Sequence, residues 1–108
     1  MKTYRFIILS PEKKLYDGMV TSLSAPGDNG RLTVLADHAP MVAALARGNM
    51  VIRLANENEA LEGSLDSGLL KVGNHEVVAL VHGFAWVEDK GEAEAEDLKN
   101  ADGNPLLL

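Results

Sequence analysis

Residues 26–40 read PGDNGRLTVLADHAP, and this tract is the most informative part of the chain. Asn29-Gly30 is a strong signal for a two-residue hairpin turn, in which both central residues need positive φ. The apolar run Leu32–Leu35 predicts the return strand, and the residues from Asp37 to Pro40 break it. The tract therefore predicts a β-hairpin followed by an exit loop.

The same pattern extends in both directions from this hairpin. Short apolar runs separated by turn residues predict about eight to ten short strands, which is typical of an all-β sandwich or barrel. Gly18, inside the long run from Leu15 to Ala25, indicates a bulge or a switch between sheets. Residues 40–47 fit either a two-turn helix or a short buried strand, because periodicity cannot separate the two at this length.

Composition limits the function classes. The chain has 108 residues, a net charge of −6 and no Cys. An acidic chain is unsuited to binding nucleic-acid phosphates or anionic lipid, and the lack of Cys excludes disulfides and thiolate chemistry. No stretch approaches the ~20 apolar residues that span a bilayer, and the N-terminal apolar run is too short for a secretory signal. We expect a cytosolic domain, or one that is bound to a membrane only through a partner.

The composition shifts at Glu88. The residues that follow are acidic and lack an apolar stripe that could pack against a core. We therefore expect a folded domain at residues 1–87 and a mostly disordered acidic tail, with no domain of its own, at residues 88–108.

Residue types that carry catalysis do not form a recognisable site. The histidines His38, His75 and His82 lack metal-ligand spacing, and no Cys is present to help them bind zinc. The tract that starts at Asp28 resembles a calcium loop, but the position that requires Glu is Ala39. The glycines are spread over separate turns and form no phosphate loop. We predict no catalytic residue, no metal site and no cofactor.

An ordered set of short motifs resembles the N-terminal domain of the epsilon subunit of F-type ATP synthases. The order and spacing fit nearly without gaps over most of the folded part of the chain. The motifs are SPEK at 10–13, YDG at 16–18, PGDNG at 26–30, LADHAP at 35–40, Ala44-Leu45 with Gly48, and SGLLKV at 67–72.

The resemblance implies an all-β fold with about ten short strands in a two-sheet β-sandwich. It implies a rotor subunit that couples rotation of the gamma subunit to the membrane c-ring during proton-driven ATP synthesis, without catalysis, cofactor or small-molecule substrate of its own. The expected partners are gamma and the c-ring. The expected location is the cytoplasmic face of the bacterial inner membrane, as a peripheral part of the F1 sector.

Family members typically continue into a two-helix hairpin that can inhibit ATP hydrolysis. The residues after Val87 are too few for two packed helices of ~10–14 residues each plus a turn. We therefore expect a short epsilon subunit that couples rotation without inhibiting by helix extension.

The resemblance also implies two sets of contact residues. The residues expected to face the c-ring are Asp28, Asn29, Gly30 and Arg31. The residues expected on or near the gamma-facing side are Ser10, His38, Met41 and Val42. The alternative for Met41 and Val42 is packing in the core, and for His38 it is a hydrogen bond that orders its loop. A stable rotor contact should appear in the isolated domain as an exposed apolar patch.

Two other function classes remain open. One is a stand-alone β-sandwich module that binds a small ligand or sugar, which predicts a concave apolar pocket. The other is a metal-dependent β-barrel enzyme of the cupin type, which needs clustered His and Glu ligands on adjacent strands.

Overall fold

The structure is a computed structural model, and it describes residues 2–56 and 59–87. Every regular secondary-structure element in these ranges is a β-strand, which confirms the all-β class. The predicted tail, residues 88–108, lies outside the described residues. The strands in the described ranges are β1 (Tyr4–Leu9), β2 (Lys14–Gly27), β3 (Gly30–Leu35), β4 (Met41–Leu45), β5 (Gly48–Leu54), β6 (Ala60–Leu65), β7 (Ser67–Val72), β8 (Glu76–His82) and β9 (Ala85–Trp86).

Strand β2 is long enough to take part in two layers. Its first half pairs with β1, and its second half pairs with β3 on the same edge and with β5 on the opposite edge. Layer 1 therefore contains β4, β7, β8, β1 and the first half of β2, and layer 2 contains β3, the second half of β2, β5, β6 and β9. A single bridge between Gly27 and Leu45 joins the layers where β2 ends. This is the predicted two-sheet sandwich, with β2 counted in both sheets.

The switch between layers lies within β2, as the sequence indicates, but not at Gly18. Gly18 is in regular pairing opposite Phe6. The pairing of β2 with β5 shifts register between Val20 and Ser22, so that Thr21 is the extra residue of a β-bulge. A bulge bends its strand and increases the local twist, which allows one strand to leave one layer and enter the other.

The core lies between the two layers and is lined by alternate residues of the strands. In β8, for example, Val77, Ala79 and Val81 are buried, whereas Val78 and Leu80 point outward. Full burial of one such aliphatic or aromatic side chain contributes about 1.5–3 kcal/mol, so this set holds the layers together. The largest fully buried side chains are Phe6, Ile8, Val20, Leu23, Val34, Met50, Ile52, Leu65, Leu70 and Val81.

Aromatic side chains close one side of the sandwich, between the first half of β2 and strand β9. The Tyr16 ring lies edge-on to Trp86, with 6.1 Å between the ring centroids. Trp86 in turn makes an edge contact with Phe84 at 4.9 Å, and Tyr16 reaches the core ring of Phe6 at 6.2 Å. These contacts connect layer 1 to layer 2 on this side of the sandwich. Among the described residues, no backbone pairing joins the first half of β2 to β9.

Two predictions about turns are wrong in detail. The hairpin turn is centred on Asp28 and Asn29, because Gly30 already pairs with Gly27. Gly30 has a φ of 119°, whereas Asn29 does not adopt positive φ, so the turn is shifted by one residue from the predicted position. The composition of Asp66-Ser67-Gly68 also predicts a turn, but Ser67 already belongs to β7, and only Asp66 connects β6 to β7.

The ambiguous segment at residues 40–47 forms a strand and no helix. Strand β4 pairs with β7 along its whole length, from Met41 opposite Val72 to Leu45 opposite Gly68. Pairing with the neighbouring strand β7 therefore favours the strand over the helix, the two alternatives that the sequence left open.

Candidate subunit-contact surface

The outward face of layer 1 is apolar over most of its width. Cross-strand register places Leu9, Leu80 and Leu69 in one row that ends at Ala44. A neighbouring row runs from Ile7 through Val78 and Lys71 to Val42. We call the seven apolar members of these rows the apolar face, namely Ile7, Leu9, Val42, Ala44, Leu69, Val78 and Leu80.

Several of these side chains are strongly exposed. Leu69 is 41% exposed, Leu80 44% and Val42 63%, and Met19 is a further exposed apolar residue on β2 of the same layer. A contiguous row of exposed aliphatic residues on a sheet is unusual for a surface that stays in water and marks an interaction site. The exposed apolar patch that a rotor contact predicts is therefore present on this face.

The sequence contains a signal for this face. Residues 77–81 read VVALV, an uninterrupted apolar run, whereas a sheet that faces water on one side alternates apolar and polar residues. Such a run indicates a strand that is covered on both faces. The contact residues that the family resemblance implies nevertheless include no apolar residue of β1, β7 or β8 on this face.

An ion-pair cluster borders the apolar face where β2, β1 and β8 meet. The Arg5 guanidinium donates hydrogen bonds to both carboxylate oxygens of Asp17, at 2.9 and 2.7 Å, and the Lys14 ammonium lies 3.0 Å from the same carboxylate. Arg5 is also 3.8 Å from Glu76. The hydrogen bonds from Arg5 and then Lys14 hold the pKa of Asp17 well below its usual range. The cluster ties three strands together at the border of the apolar face.

Ser10, one of the predicted gamma contacts, orders the turn between β1 and β2. Its hydroxyl accepts a hydrogen bond from the Lys13 amide at 3.2 Å, and its own amide donates to the Lys13 carbonyl at 2.9 Å. It directly follows Leu9 in the chain, so the turn borders the apolar face at that end. A shallow depression of about 330 Å³ lies beside it, lined partly by Leu15 and Phe84.

His38 lies in the loop between β3 and β4, and it is exposed. Its Nδ1 donates a hydrogen bond to the carbonyl oxygen of Ala39 at 2.8 Å, which fixes the ring against its own loop. The preceding residue, Asp37, has a φ of 70°, and its carboxylate accepts a 2.6 Å hydrogen bond from Lys2. The loop-ordering bond expected as the alternative role of His38 is therefore present, and it leaves the other ring nitrogen at the surface.

Met41 and Val42 are neighbours in β4 that point in opposite directions. Val42 belongs to the apolar face and is exposed. Met41 is half-buried and packs against the core, which is the alternative that the sequence left open for it. Of the two predicted gamma contacts, only Val42 offers its side chain to the outward surface of layer 1.

The predicted c-ring contacts lie at the tip of the β2–β3 hairpin. Asp28, Asn29 and Gly30 are exposed there, and a Cβ atom added to Gly30 would meet open space. The Arg31 side chain turns back along the sheet, where it donates to the Ser24 hydroxyl at 3.0 Å and to the Ser24 carbonyl at 3.3 Å. The guanidinium is therefore held beside the hairpin stem, and the three preceding residues form the tip.

The two predicted contact sets meet at one groove. The hairpin tip and strand β4 line a depression of about 490 Å³, which includes Asp28 to Arg31 on one side and Met41 and Val42 on the other. Ser10 and His38 lie outside this groove, in separate turns. The structure therefore brings six of the eight predicted residues together and leaves two apart.

The described part of the chain carries no cluster of metal-ligating residues. Within residues 2–56 and 59–87, no group of three or more His, Cys, Asp or Glu side chains is arranged to hold a metal ion. The same ranges contain no helix that is long and apolar enough to cross a membrane.

Comparison with known proteins places this sandwich in a family. Residues 3–87 match the family model described as "ATP synthase, Delta/Epsilon chain, beta-sandwich domain". The chain is 36% identical to the ATP synthase epsilon chain of Leptospira interrogans, over 94% of this chain and 84% of that protein. It is 31% identical to the ATP synthase epsilon chain of Clostridium novyi, over 91% of this chain and 74% of that protein.

Solved structures share the fold at low sequence identity. A chain in the Euglena gracilis mitochondrial ATP synthase, OSCP/F1/c-ring in rotational state 1, matches with a TM-score of 0.73 at 16% identity, covering 78% of this chain and 53% of that one. A chain in the Tetrahymena thermophila mitochondrial ATP synthase central stalk and c-ring matches with a TM-score of 0.65, also at 16% identity, covering 91% of this chain and 75% of that one. From the family model and the identity to the epsilon chains, we conclude that the chain belongs to the ATP synthase delta/epsilon family and that residues 3–87 match its β-sandwich domain.

Proposed function

We propose that the chain is a rotor subunit in the central stalk of an F-type ATP synthase, where it couples rotation of the gamma subunit to the c-ring during proton-driven ATP synthesis. The single observation that carries this proposal is the apolar face on a member of the epsilon family. A rotor joint has to transmit torque without dissociating, which requires a large and well-packed contact of at least about 1,000 Å² in total.

The apolar face is the surface that we assign to gamma. Its aliphatic rows are flat and continuous across β1, β8, β7 and β4, as suits a permanent contact, and permanent contacts are more apolar than transient ones. Of the predicted gamma contacts, Val42 lies on this face and Ser10 borders it. His38 and Met41 remain predicted contacts next to it.

The hairpin tip is the surface that we assign to the c-ring. Asp28, Asn29 and Gly30 project from the sandwich, and Arg31 supplies a cation beside them. The groove between the tip and β4 adjoins both surfaces, so gamma and the c-ring would contact neighbouring parts of the sandwich. Support for this assignment comes from the exposure of the tip and from its polar side chains.

The remaining parts of the proposal follow from that role. The subunit has no catalytic site, cofactor or small-molecule substrate of its own, because catalysis takes place elsewhere in the complex. It is peripheral to the cytoplasmic face of the bacterial inner membrane, as part of the F1 sector, and reaches the membrane only through the complex. The sandwich of residues 1–87 forms the rotor contacts, and residues 88–108 are an acidic tail without a separate domain.

The gamma assignment is tested by binding to the cognate gamma subunit. Leu80→Asp places a charge in the middle of the apolar face, and Thr33→Asp places the same charge on the exposed outer surface of layer 2. We expect Leu80→Asp to reduce the affinity by about 100-fold, as for a central interface residue, and Thr33→Asp to leave it unchanged. Equal affinity for both variants and the wild type would contradict the assignment.

The c-ring assignment is tested in reconstituted ATP synthase. Arg31→Glu reverses the charge of the residue that follows the hairpin tip, whereas Arg53→Glu makes the same change on β5, away from the tip. We expect Arg31→Glu to weaken attachment of F1 to the c-ring and to lower ATP-driven proton pumping, with ATP hydrolysis retained. Unchanged assembly and coupled pumping with Arg31→Glu would show that this residue does not contribute.

A further inference from the structure

We propose that Lys71 pairs with a carboxylate on the partner that covers the apolar face, so that this pair selects the cognate gamma subunit and fixes its register. The inference rests on the proposed function, since it concerns the chemistry of the surface that gamma presents there. It starts from Lys71, which is the one charged position in the two rows on strands β1, β8, β7 and β4.

Lys71 is surrounded by apolar side chains. It lies in β7 directly opposite Val78 on one side and Val42 on the other, and Leu69 precedes it on the same face. It also borders an open depression of about 440 Å³, whose other lining residues are Pro40, Met41, Val42, Val72, Gly73 and Asn74. A partner that covers Val42 and Leu69 must therefore cover Lys71 as well.

No described residue neutralises this cation. The described carboxylate nearest in register on the neighbouring strand is Glu76, and it lies 3.8 Å from Arg5, which is also bonded to Asp17. The side-chain ammonium of Lys71 forms no hydrogen bond or ion pair with any residue in the ranges 2–56 and 59–87. The charged groups that border the apolar face thus pair with one another, and Lys71 has no charged partner among the described residues.

A buried, unpaired ammonium group is costly. Removing a charge from water without a partner costs several kcal/mol or more, whereas a hydrogen-bonded ion pair recovers much of this cost. In the free subunit the ammonium is hydrated and costs nothing. Once the face is covered, its charge requires a compensating anion on the partner, and a carboxylate is the protein group that supplies one.

Such a pair selects among partners. A partner surface with an apolar or basic residue at the facing position would leave Lys71 unpaired or would repel it, and like charges in contact cost several kcal/mol. A partner with Asp or Glu there gains a charge-assisted hydrogen bond in one register only. The apolar face then supplies the binding free energy, and Lys71 supplies specificity and alignment.

The test measures the affinity of the full chain for its cognate gamma subunit at about 0.05 M and about 0.3 M salt. The variants are Lys71→Arg, Lys71→Gln and Lys71→Glu, with Arg53→Glu on layer 2 as the matched charge reversal. Fluorescence of Trp86, which is the one Trp of the chain, reports that each variant is folded. Leu80→Asp is included to test whether gamma binds the apolar face at all.

We expect Lys71→Arg to bind like the wild type, Lys71→Gln to bind about tenfold more weakly and Lys71→Glu about 100-fold more weakly, with no change for Arg53→Glu. The salt dependence of binding should fall in Lys71→Gln. Charge reversal of the facing carboxylate on gamma should restore the binding of Lys71→Glu.

Failure of this inference and failure of the proposed function give different results. If Leu80→Asp abolishes binding while Lys71→Glu binds like the wild type, the surface is correct and the lysine is only a solubilising residue, which overturns the inference. If neither variant changes the affinity, gamma does not bind this face, and the proposed surface is itself wrong.

Discussion

Leu69 on β7 lies directly opposite Leu80 on β8, and both leucine side chains point outward from the sandwich. Their backbone neighbours Leu70 and Ala79 form the adjacent pair and are fully buried in the core. At these two adjacent pairs the strands are therefore apolar on both faces, as in sheets that are covered on both sides. On the described residues one face is covered by layer 2, and the other is the apolar face that we assign to gamma.

Asp17→Asn should lower stability at neutral pH. Hydrogen bonds from Arg5 and then Lys14 lower the pKa of the folded-state carboxyl below its unfolded value. The contribution of the Asp17 carboxylate to the free energy of unfolding is therefore fully present above the unfolded pKa of about 3.9. It is lost as the pH falls below that value toward the folded pKa. Urea unfolding at pH 7 and near pH 3 should show a smaller difference between Asp17→Asn and the wild type at the lower pH.

Asp28→Asn is the matched control for this pH experiment. Asp28 lies at the exposed hairpin tip, where its side chain has no partner among the described residues. We expect it to unfold like the wild type at both pH values. A pH-independent loss in Asp17→Asn would show that the ion-pair cluster does not stabilise the fold through the charge of Asp17.

Tyr4→Phe should destabilise the sandwich by about 1 kcal/mol, the typical net contribution of one hydrogen bond. The buried Tyr4 hydroxyl donates to the Val34 carbonyl at 2.7 Å and so connects β1 in layer 1 to β3 in layer 2. Tyr16→Phe is the control, because the Tyr16 hydroxyl has no hydrogen-bond partner among the described residues. Urea unfolding followed by Trp86 fluorescence measures both variants, and equal stabilities for the two would contradict this role of Tyr4.

Gly68→Ala should cost about 1–3 kcal/mol, the range for overpacking a well-packed site. A Cβ atom at residue 68 would lie 2.5 Å from the backbone carbonyl oxygen of Leu80, which can move only if β8 moves. Gly73→Ala is the milder comparison, because its Cβ would lie 3.2 Å from the Glu76 carbonyl oxygen. Thermal unfolding should rank Gly68→Ala as clearly less stable than Gly73→Ala, and the reverse order would show that the β7–β8 spacing is adaptable.

The sequence predicted the fold well because turn residues separate the strands so clearly. Asn29-Gly30, Gly73-Asn74 and the polar break after Leu35 each mark a strand end, and the structure has strand ends close to all of them. The predicted position of the hairpin turn was wrong by one residue. Gly30 has the positive φ, but it pairs with Gly27 and so lies just after the two central residues of the turn. Turn composition locates a hairpin more reliably than it fixes which residues lie at its centre.

The candidate surface was only partly predictable. Val42 was found through the family resemblance, whereas Leu69 and Leu80 were not, because no local motif distinguishes an outward Leu from an inward one. Their direction depends on the strand pairing between β7 and β8, which is a tertiary property. The orientation of Arg31 toward Ser24 likewise depends on the neighbouring strand, which residue spacing alone does not reveal.

The most direct test of the account is thiol labelling of single-cysteine variants, which the absence of Cys from the chain makes possible. Leu80→Cys reports on the apolar face, and Thr33→Cys reports on the outer surface of layer 2. Both thiols should react rapidly with a maleimide in the free subunit. Saturating gamma should suppress labelling of Leu80→Cys and leave Thr33→Cys unchanged, whereas undiminished labelling of Leu80→Cys in the complex would contradict the assignment of the apolar face to gamma.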